Sequence, residues 1–154
     1  MFHHRPIHSH HGHRLSADEL TELASRCIAA KGIAYCPYSN FPVGCAILCD
    51  DGSWVTGSNV ENASYPVTIC AERTAIVKAV TEGKRNFRAL GVATNVMTVP
   101  CSPCGMCRQF ISEFAEPSLP IFMFGADGKH VLLPMSFGPD SFSSVKEMEL
   151  VHKA

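Results

Sequence analysis

Two cysteine elements constrain this chain more than anything else in it. Cys104-Gly105-Met106-Cys107 is a C-x-x-C, and Cys70 stands well upstream of it. Each lies where a helical pattern begins. After Cys70, apolar residues recur at helical spacing: Ala71, Ala75, Ile76, Ala79 and Val80, with Gly83 near the stop. Ser102-Pro103 has the form of an N-cap followed by proline at the first helical position. The helix it opens should run to about Ala115, before Pro117. Two helix N-termini can thus bring three thiolates to one point, where free N–H groups and positive dipole ends favour anions.

The rest of the chain supplies a frame for those two helix starts. Ser16-Ala17-Asp18-Glu19 fits a capping box, and Leu20, Leu23, Ala24, Cys27 and Ile28 form one apolar face behind it. Gly32 is the expected stop. Val43 to Cys49 is a nearly continuous apolar run, which suits a strand covered on both faces. Asp51-Gly52 signals a turn and Trp54-Val55-Thr56 a second strand. Ala89 to Val96 reads as a third strand, and Ile121 to Phe124 and His130 to Leu133 as two more around Asp127-Gly128. This order predicts an α/β fold with one mixed five-stranded sheet and helices on its faces. Residues 15–154 read as a single domain without internal repeats.

Residues 1–14 stand apart and hold six of the eight histidines: His3, His4, His8, His10, His11 and His13. The segment has too few large apolar residues to offset the entropy of ordering, so a flexible tail is expected. Such a tail can bind metal weakly without being a site.

Composition narrows the function classes. Lys+Arg 13 against Asp+Glu 14 gives a net charge of −1, without the basic surplus of a nucleic-acid binder. Hydrophobic residues at 46% of 154 can supply one core. No apolar run approaches the ~18 residues that span a membrane, so no membrane partner is expected. Met1 to Arg14 contains no apolar h-region, so a secretory leader is not expected. The eight cysteines then read as thiols or metal ligands in a reducing, cytoplasmic setting rather than as disulfides.

Alone, the C-x-x-C is ambiguous between zinc binding and thiol redox chemistry. Adding Cys70 makes three ligands and leaves one tetrahedral position open, the catalytic zinc pattern. Cys101 is the rival fourth ligand, but it precedes the expected cap and should point elsewhere. With it the run becomes C-x-x-C-x-x-C, part of an iron–sulfur pattern whose remaining element is missing. Glu72 favours catalysis. Residues two apart point about 200° apart on a helix, so Cys70 and Glu72 share a site only beyond the helix end. There Glu72 would carry protons rather than bind metal. Zinc with three thiolates is net negative, and water on it should be harder to ionise than on a three-histidine zinc, where the pKa is ~7. Arg73 and the two helix dipoles could compensate. The alternative for Arg73 is a surface salt bridge.

Cys70-Ala71-Glu72-Arg73, followed by Ser102-Pro103-Cys104-Gly105-Met106-Cys107-Arg108-Gln109, resembles the zinc-dependent cytidine deaminases in their all-cysteine form. Asn40-Phe41-Pro42-Val43-Gly44, Gly57 to Tyr65 and Leu132 to Pro139 extend the resemblance over roughly residues 16–142. It is greatest to the small homotetrameric enzymes. The resemblance implies their three-layer fold and one Zn2+ per subunit on Cys70, Cys104 and Cys107. It implies proton shuttling by Glu72, stacking on the pyrimidine by Phe41, and ribose contacts from Asn59 and Glu61. The backbone around Ala71 would contact the base, and Phe142 would reach a neighbouring subunit's site. The implied substrates are cytidine and 2′-deoxycytidine, in pyrimidine salvage.

The residues make chemical sense of those roles. Asn59 and Glu61 alternate around Val60, so in extended chain both face one way. Amide and carboxylate together can serve a sugar hydroxyl as donor and acceptor. Their alternative is turn capping near Gly57. By its type, Phe41 would otherwise be a core residue. Tyr38 and Tyr65 fit packing or an interface, and Arg108 and Gln109 fit bracing of the zinc helix or a subunit contact. Cys27, Cys45 and Cys49 fit apolar elements as small hydrophobes, leaving Cys36 and Cys101 unassigned.

Three other functions remain open at this level. A related zinc deaminase could act on another nucleoside, a nucleotide or a polynucleotide. The short link from Gly125 to Lys129 predicts a final antiparallel hairpin, unlike the polynucleotide-acting relatives. A non-catalytic zinc or RNA-binding module would not need Glu72. A thiol oxidoreductase would leave Cys70 and Glu72 unexplained.

Overall fold

The computed structural model describes residues 15–96, 101–125 and 130–132. The histidine-rich segment 1–14, the Asp127-Gly128 turn, residues 133–139 and Phe142 lie outside them. The described elements follow the expected order. They are α1 (Ala17–Lys31), β1 (Gly44–Cys49), β2 (Trp54–Ser58), α2 (Ala71–Thr81), β3 (Phe87–Ala93), α3 (Gly105–Phe114), β4 (Ile121–Phe124) and β5 (His130–Leu132). A short 3-10 turn at Tyr65–Val67 precedes α2.

The strands form one five-stranded sheet in the order β2-β1-β3-β4-β5. β1 is antiparallel to both β2 and β3, β3 and β4 are parallel, and β4 and β5 form the expected antiparallel pair. The mixed sheet follows from the connections: α3 carries the chain back between β3 and β4, as a parallel pair requires. β1 is buried at every position, which is why its apolar run does not alternate.

Helices cover both faces, as expected of a three-layer fold. On one face Leu23 and Cys27 of α1 pack on Ala46, Leu48, Ala89, Ala93, Phe122 and Phe124. On the other, Ala71, Ala75, Ile76 and Ala79 of α2 and Ile111 of α3 pack on Cys45, Ile47, Leu90, Val92 and Ile121. Odd and even positions of β1 thus serve opposite layers. Burial pushes the Cys27 thiol up to about 12 and raises Cys45 and Cys49 as well, so these three behave as small hydrophobes.

Two details place the start of α2. A Cβ on Gly57 of β2 would lie 2.4 Å from the Ala75 nitrogen and 2.6 Å from the Ala71 carbonyl, so only glycine lets the helix sit this close. At the far end Gly83 takes φ 83°, and the Lys84 N–H reaches the Ala79 carbonyl at 2.9 Å. That is a Schellman ending, which needs the left-handed residue.

Several boundaries differ from expectation. Ser16 and Glu19 form the complete capping box of α1, but Gly32 ends the helix at φ −64°, with no use of left-handed freedom. β3 starts at Phe87 and stops at Ala93, opposite Gly44, because β1 begins there. β2 extends through Ser58. The N-cap of α3 is Cys104, not Ser102. The Ser102 hydroxyl instead accepts from Arg108 Nη2 at 2.9 Å, and Arg108 Nε holds the Pro103 carbonyl at 2.9 Å. Arg108 therefore braces the segment leading into the helix, as its sequence position suggested.

Candidate metal and catalytic site

Cys70 caps α2 and Cys104 caps α3, each in extended backbone with no side-chain capping hydrogen bond. Their side chains are therefore free to turn away from their own helices. Cys107 lies in the first turn of α3 and is fully buried. The three sulfurs all lie within 4.8 Å of one another. A tetrahedral zinc with Zn–S bonds of ~2.3 Å needs sulfurs about 3.8 Å apart, so the donor set fits with small adjustment. Among the described residues no other His, Cys, Asp or Glu joins this group, Cys101 included. None of the eight cysteines forms a disulfide.

The electrostatics point to a cation. Cys70 is lowered to about 5, first by a hydrogen bond from Cys107 and then by Arg73. Cys107 is raised well above the ordinary thiol, chiefly because its proton serves the Cys70 thiolate. A divalent ion held by the three sulfurs would keep all of them as thiolates and release their protons.

Arg73 stands over this charge. Its Nη2 donates to Cys70 Sγ at 3.6 Å and to the Thr68 carbonyl at 2.8 Å. Its Nε is buried with no hydrogen-bond partner among the described residues. An unmet polar atom costs about 1–3 kcal/mol, so the guanidinium is held here against that cost. It forms none of the salt bridges found among the described residues.

Glu72 is 4% exposed, one residue into α2 beyond Ala71. Burial, and then the charge of Cys70, push its carboxyl above the usual range, while the Cys107 thiol and Arg73 oppose the shift. Cys70 caps α2 and Glu72 stands in its first turn, beside the three thiols without joining the group they form. A buried carboxyl with a raised pKa suits proton transfer near neutral pH.

Asn59 and Glu61 are brought together with the Phe41 segment. Residues 59–61 run extended between Tyr35 and Ile69, joined by bridges at Val60. Asn59 Oδ1 accepts from the Val43 N–H at 2.8 Å, and its Nδ2 donates to the Phe41 carbonyl at 2.9 Å. Glu61 Oε2 accepts from the N–H groups of Tyr38 and Ser39 at 2.9 and 3.2 Å, and Oε1 accepts from the Ser39 hydroxyl. The two side chains therefore reach the same neighbouring segment, as alternation predicts, and neither caps a turn near Gly57. Phe41 is 38% exposed and outside both core clusters. Asn40, before it, adopts φ 53°. Tyr38 and Tyr65 meet edge to face, with centroids 6.2 Å apart, on the surface.

Sequence reading missed two contributors. Thr68 holds Arg73 through its carbonyl, and Ser39 holds Glu61. Ser39 and Glu61 are 22 positions apart, and no local pattern couples them.

Three thiols at two helix N-termini, a buried carboxyl beside them and no fourth side-chain ligand among the described residues fit a zinc hydrolase on a three-layer α/β fold. Residues 17–123 match the model of the cytidine and deoxycytidylate deaminase zinc-binding region. A cytidine deaminase of Sporosarcina psychrophila is 42% identical over 135 residues, spanning 84% of this chain and 98% of that one. One from Halalkalibacterium halodurans is 43% identical over 106 residues, 69% of this chain and 80% of the relative. The crystal structure of a cytidine deaminase from Burkholderia pseudomallei superposes with a TM-score of 0.71 at 40% identity, covering 74% of this chain and 91% of that one. The chain belongs to the cytidine deaminase family.

Proposed function

We propose that this protein hydrolyses cytidine and 2′-deoxycytidine to uridine and 2′-deoxyuridine with release of ammonia. The observation that carries the reading is the buried Glu72 beside the Cys70, Cys104 and Cys107 sulfurs, in a chain 42% identical to a cytidine deaminase. The three cysteines would hold Zn2+, which supplies a Lewis acid and makes water nucleophilic near neutral pH. Glu72 accepts a proton from the attacking water and delivers it to the ring nitrogen; it then takes the remaining hydroxyl proton of the tetrahedral adduct and passes it to the amine, which leaves as ammonia as the carbonyl forms. Arg73 offsets the charge on Cys70. The first-turn backbone at Ala71 presents N–H groups toward the base.

Phe41 stacks on the pyrimidine, and its exposure supports that role. Asn59 and Glu61 bind the ribose hydroxyls. Each retains unused capacity beyond its contacts to residues 38–43. The antiparallel β4–β5 pair and the net charge of −1 favour a free nucleoside over a polynucleotide.

The reading extends to a homotetramer, in which Phe142 reaches a neighbour's site, and to pyrimidine salvage in the cytoplasm. Exposed Ile33, Tyr35, Val60 and Val67 supply apolar surface suited to subunit contact. No helix among the described residues is long and apolar enough to cross a membrane.

A kinetic panel of cytidine, deoxycytidine, deoxycytidine monophosphate and single-stranded DNA tests the substrate class, with ultraviolet absorbance as readout. Turnover of the two nucleosides, abolished by a zinc chelator, is expected. Preference for the monophosphate or the DNA would overturn it.

A further inference from the structure

The contacts of Ser39 form a directed chain. Its hydroxyl accepts from the Phe41 N–H at 3.0 Å and donates to Glu61 Oε1. The hydroxyl has one proton, and a backbone N–H already occupies one of its lone pairs. That proton must therefore point at the carboxylate. On Glu61, Oε2 receives two backbone N–H groups, from Tyr38 and Ser39. Oε1 receives only the Ser39 hydroxyl among the described residues. A carboxylate offers about four acceptor positions, so the fixed contacts leave one open, on Oε1.

We propose that Ser39 is the positioning residue that aims this open acceptor of Glu61 at a sugar hydroxyl of the substrate. The inference rests on the nucleoside reading above and adds to it the group that orients the sugar contact. Ser39 also holds the carboxyl of Glu61 below the usual range, so the acceptor stays ionised. Phe41 is secured separately, because Asn59 holds its carbonyl. Loss of the Ser39 hydroxyl also frees the Phe41 N–H, but Asn59 still holds the Phe41 carbonyl, so the loss falls more on the sugar contact than on the base contact.

The test compares Ser39→Ala with Ser39→Thr in the zinc-loaded enzyme, on cytidine and on 2′,3′-dideoxycytidine, which keeps the 5′ hydroxyl but lacks the 2′ and 3′ hydroxyls that Glu61 would meet. Ser39→Ala should lower kcat/KM for cytidine about tenfold through KM, near the low end for a hydrogen bond to a charged group. The same variant should change kcat/KM for the dideoxy substrate by less than about twofold. Ser39→Thr should restore the wild-type KM for cytidine. Should Ser39→Ala fold poorly, Ser39→Thr against Ser39→Val repeats the comparison at nearly constant volume. Equal losses on both substrates, or a Thr variant behaving like the Ala or Val one, would overturn the proposal. A wild-type enzyme inactive on cytidine would refute the nucleoside reading and this inference together. An active wild type without the substrate-dependent loss refutes this inference alone.

Discussion

Arg73 donates to the sulfur of Cys70 at 3.6 Å while the same Nη2 holds the Thr68 carbonyl at 2.8 Å. The guanidinium is thus tied to the chain just before α2 and placed over the cap of that helix. Three thiolates around one divalent ion are net negative, and this contact returns one positive charge to the cluster. The helix dipoles act in the same sense.

Arg73→Ala should weaken zinc binding about 10- to 100-fold, as loss of an outer-shell partner does. Arg73→Lys should recover part of it, since an ammonium keeps the charge but not the fork. Competition against a chelator of known affinity measures both. Unchanged zinc affinity in the Ala variant would leave Arg73 as a backbone brace only.

Cys104→Ala should lose metal and stability together, because the site joins the starts of α2 and α3. Metal analysis beside a thermal melt checks this. Full zinc stoichiometry in that variant would contradict the ligand set.

Gly57→Ala should cost about 1–3 kcal/mol or more, since the new methyl meets backbone of α2 rather than a yielding side chain. The first turn of that helix carries Cys70 and Glu72, so turnover should fall as well. A urea midpoint equal to the wild type would show that the sheet and helix can separate freely.

Glu19 gives the fold a defined acid sensitivity. Its carboxyl is lowered from 4.5, first by the Ser16 N–H and then by Arg88, which it meets at 2.7 Å. The stabilisation is full above the unfolded value, where both states are ionised, and is lost as pH falls through the lower folded value. Urea unfolding of wild type and Glu19→Gln should therefore differ most at about pH 7, with the gap narrowing as the pH falls below 4.5. Any loss of metal at low pH is common to both and cancels. A gap that does not change with pH would contradict this.

The convergence of three sulfurs was legible because it rests on local rules. Cysteines stood where helical periodicity began, and helix starts favour anions. Glu72 was legible for the same reason, since an i, i+2 pair can share only a site beyond a helix end. The cap of α3 falls at Cys104 rather than Ser102 because a tertiary partner, Arg108, engages the Ser102 hydroxyl. The end of β3 depended on where its partner strand begins, which its own apolar run does not encode. Asn59 and Glu61 were legible as a pair through alternation. Their hold on residues 38–43 was not, because it joins segments about twenty positions apart and depends on the turn at Asn40.

The central claim is that Glu72 moves the protons of a zinc-supported deamination. The direct measurement is loss of cytidine absorbance by zinc-loaded wild type and zinc-loaded Glu72→Gln. The Gln variant should keep its zinc, its fold and its nucleoside binding, and lose activity by at least the ~10²–10⁴-fold that proton transfer contributes. Turnover near the wild-type rate in a Gln variant with full zinc would contradict the account.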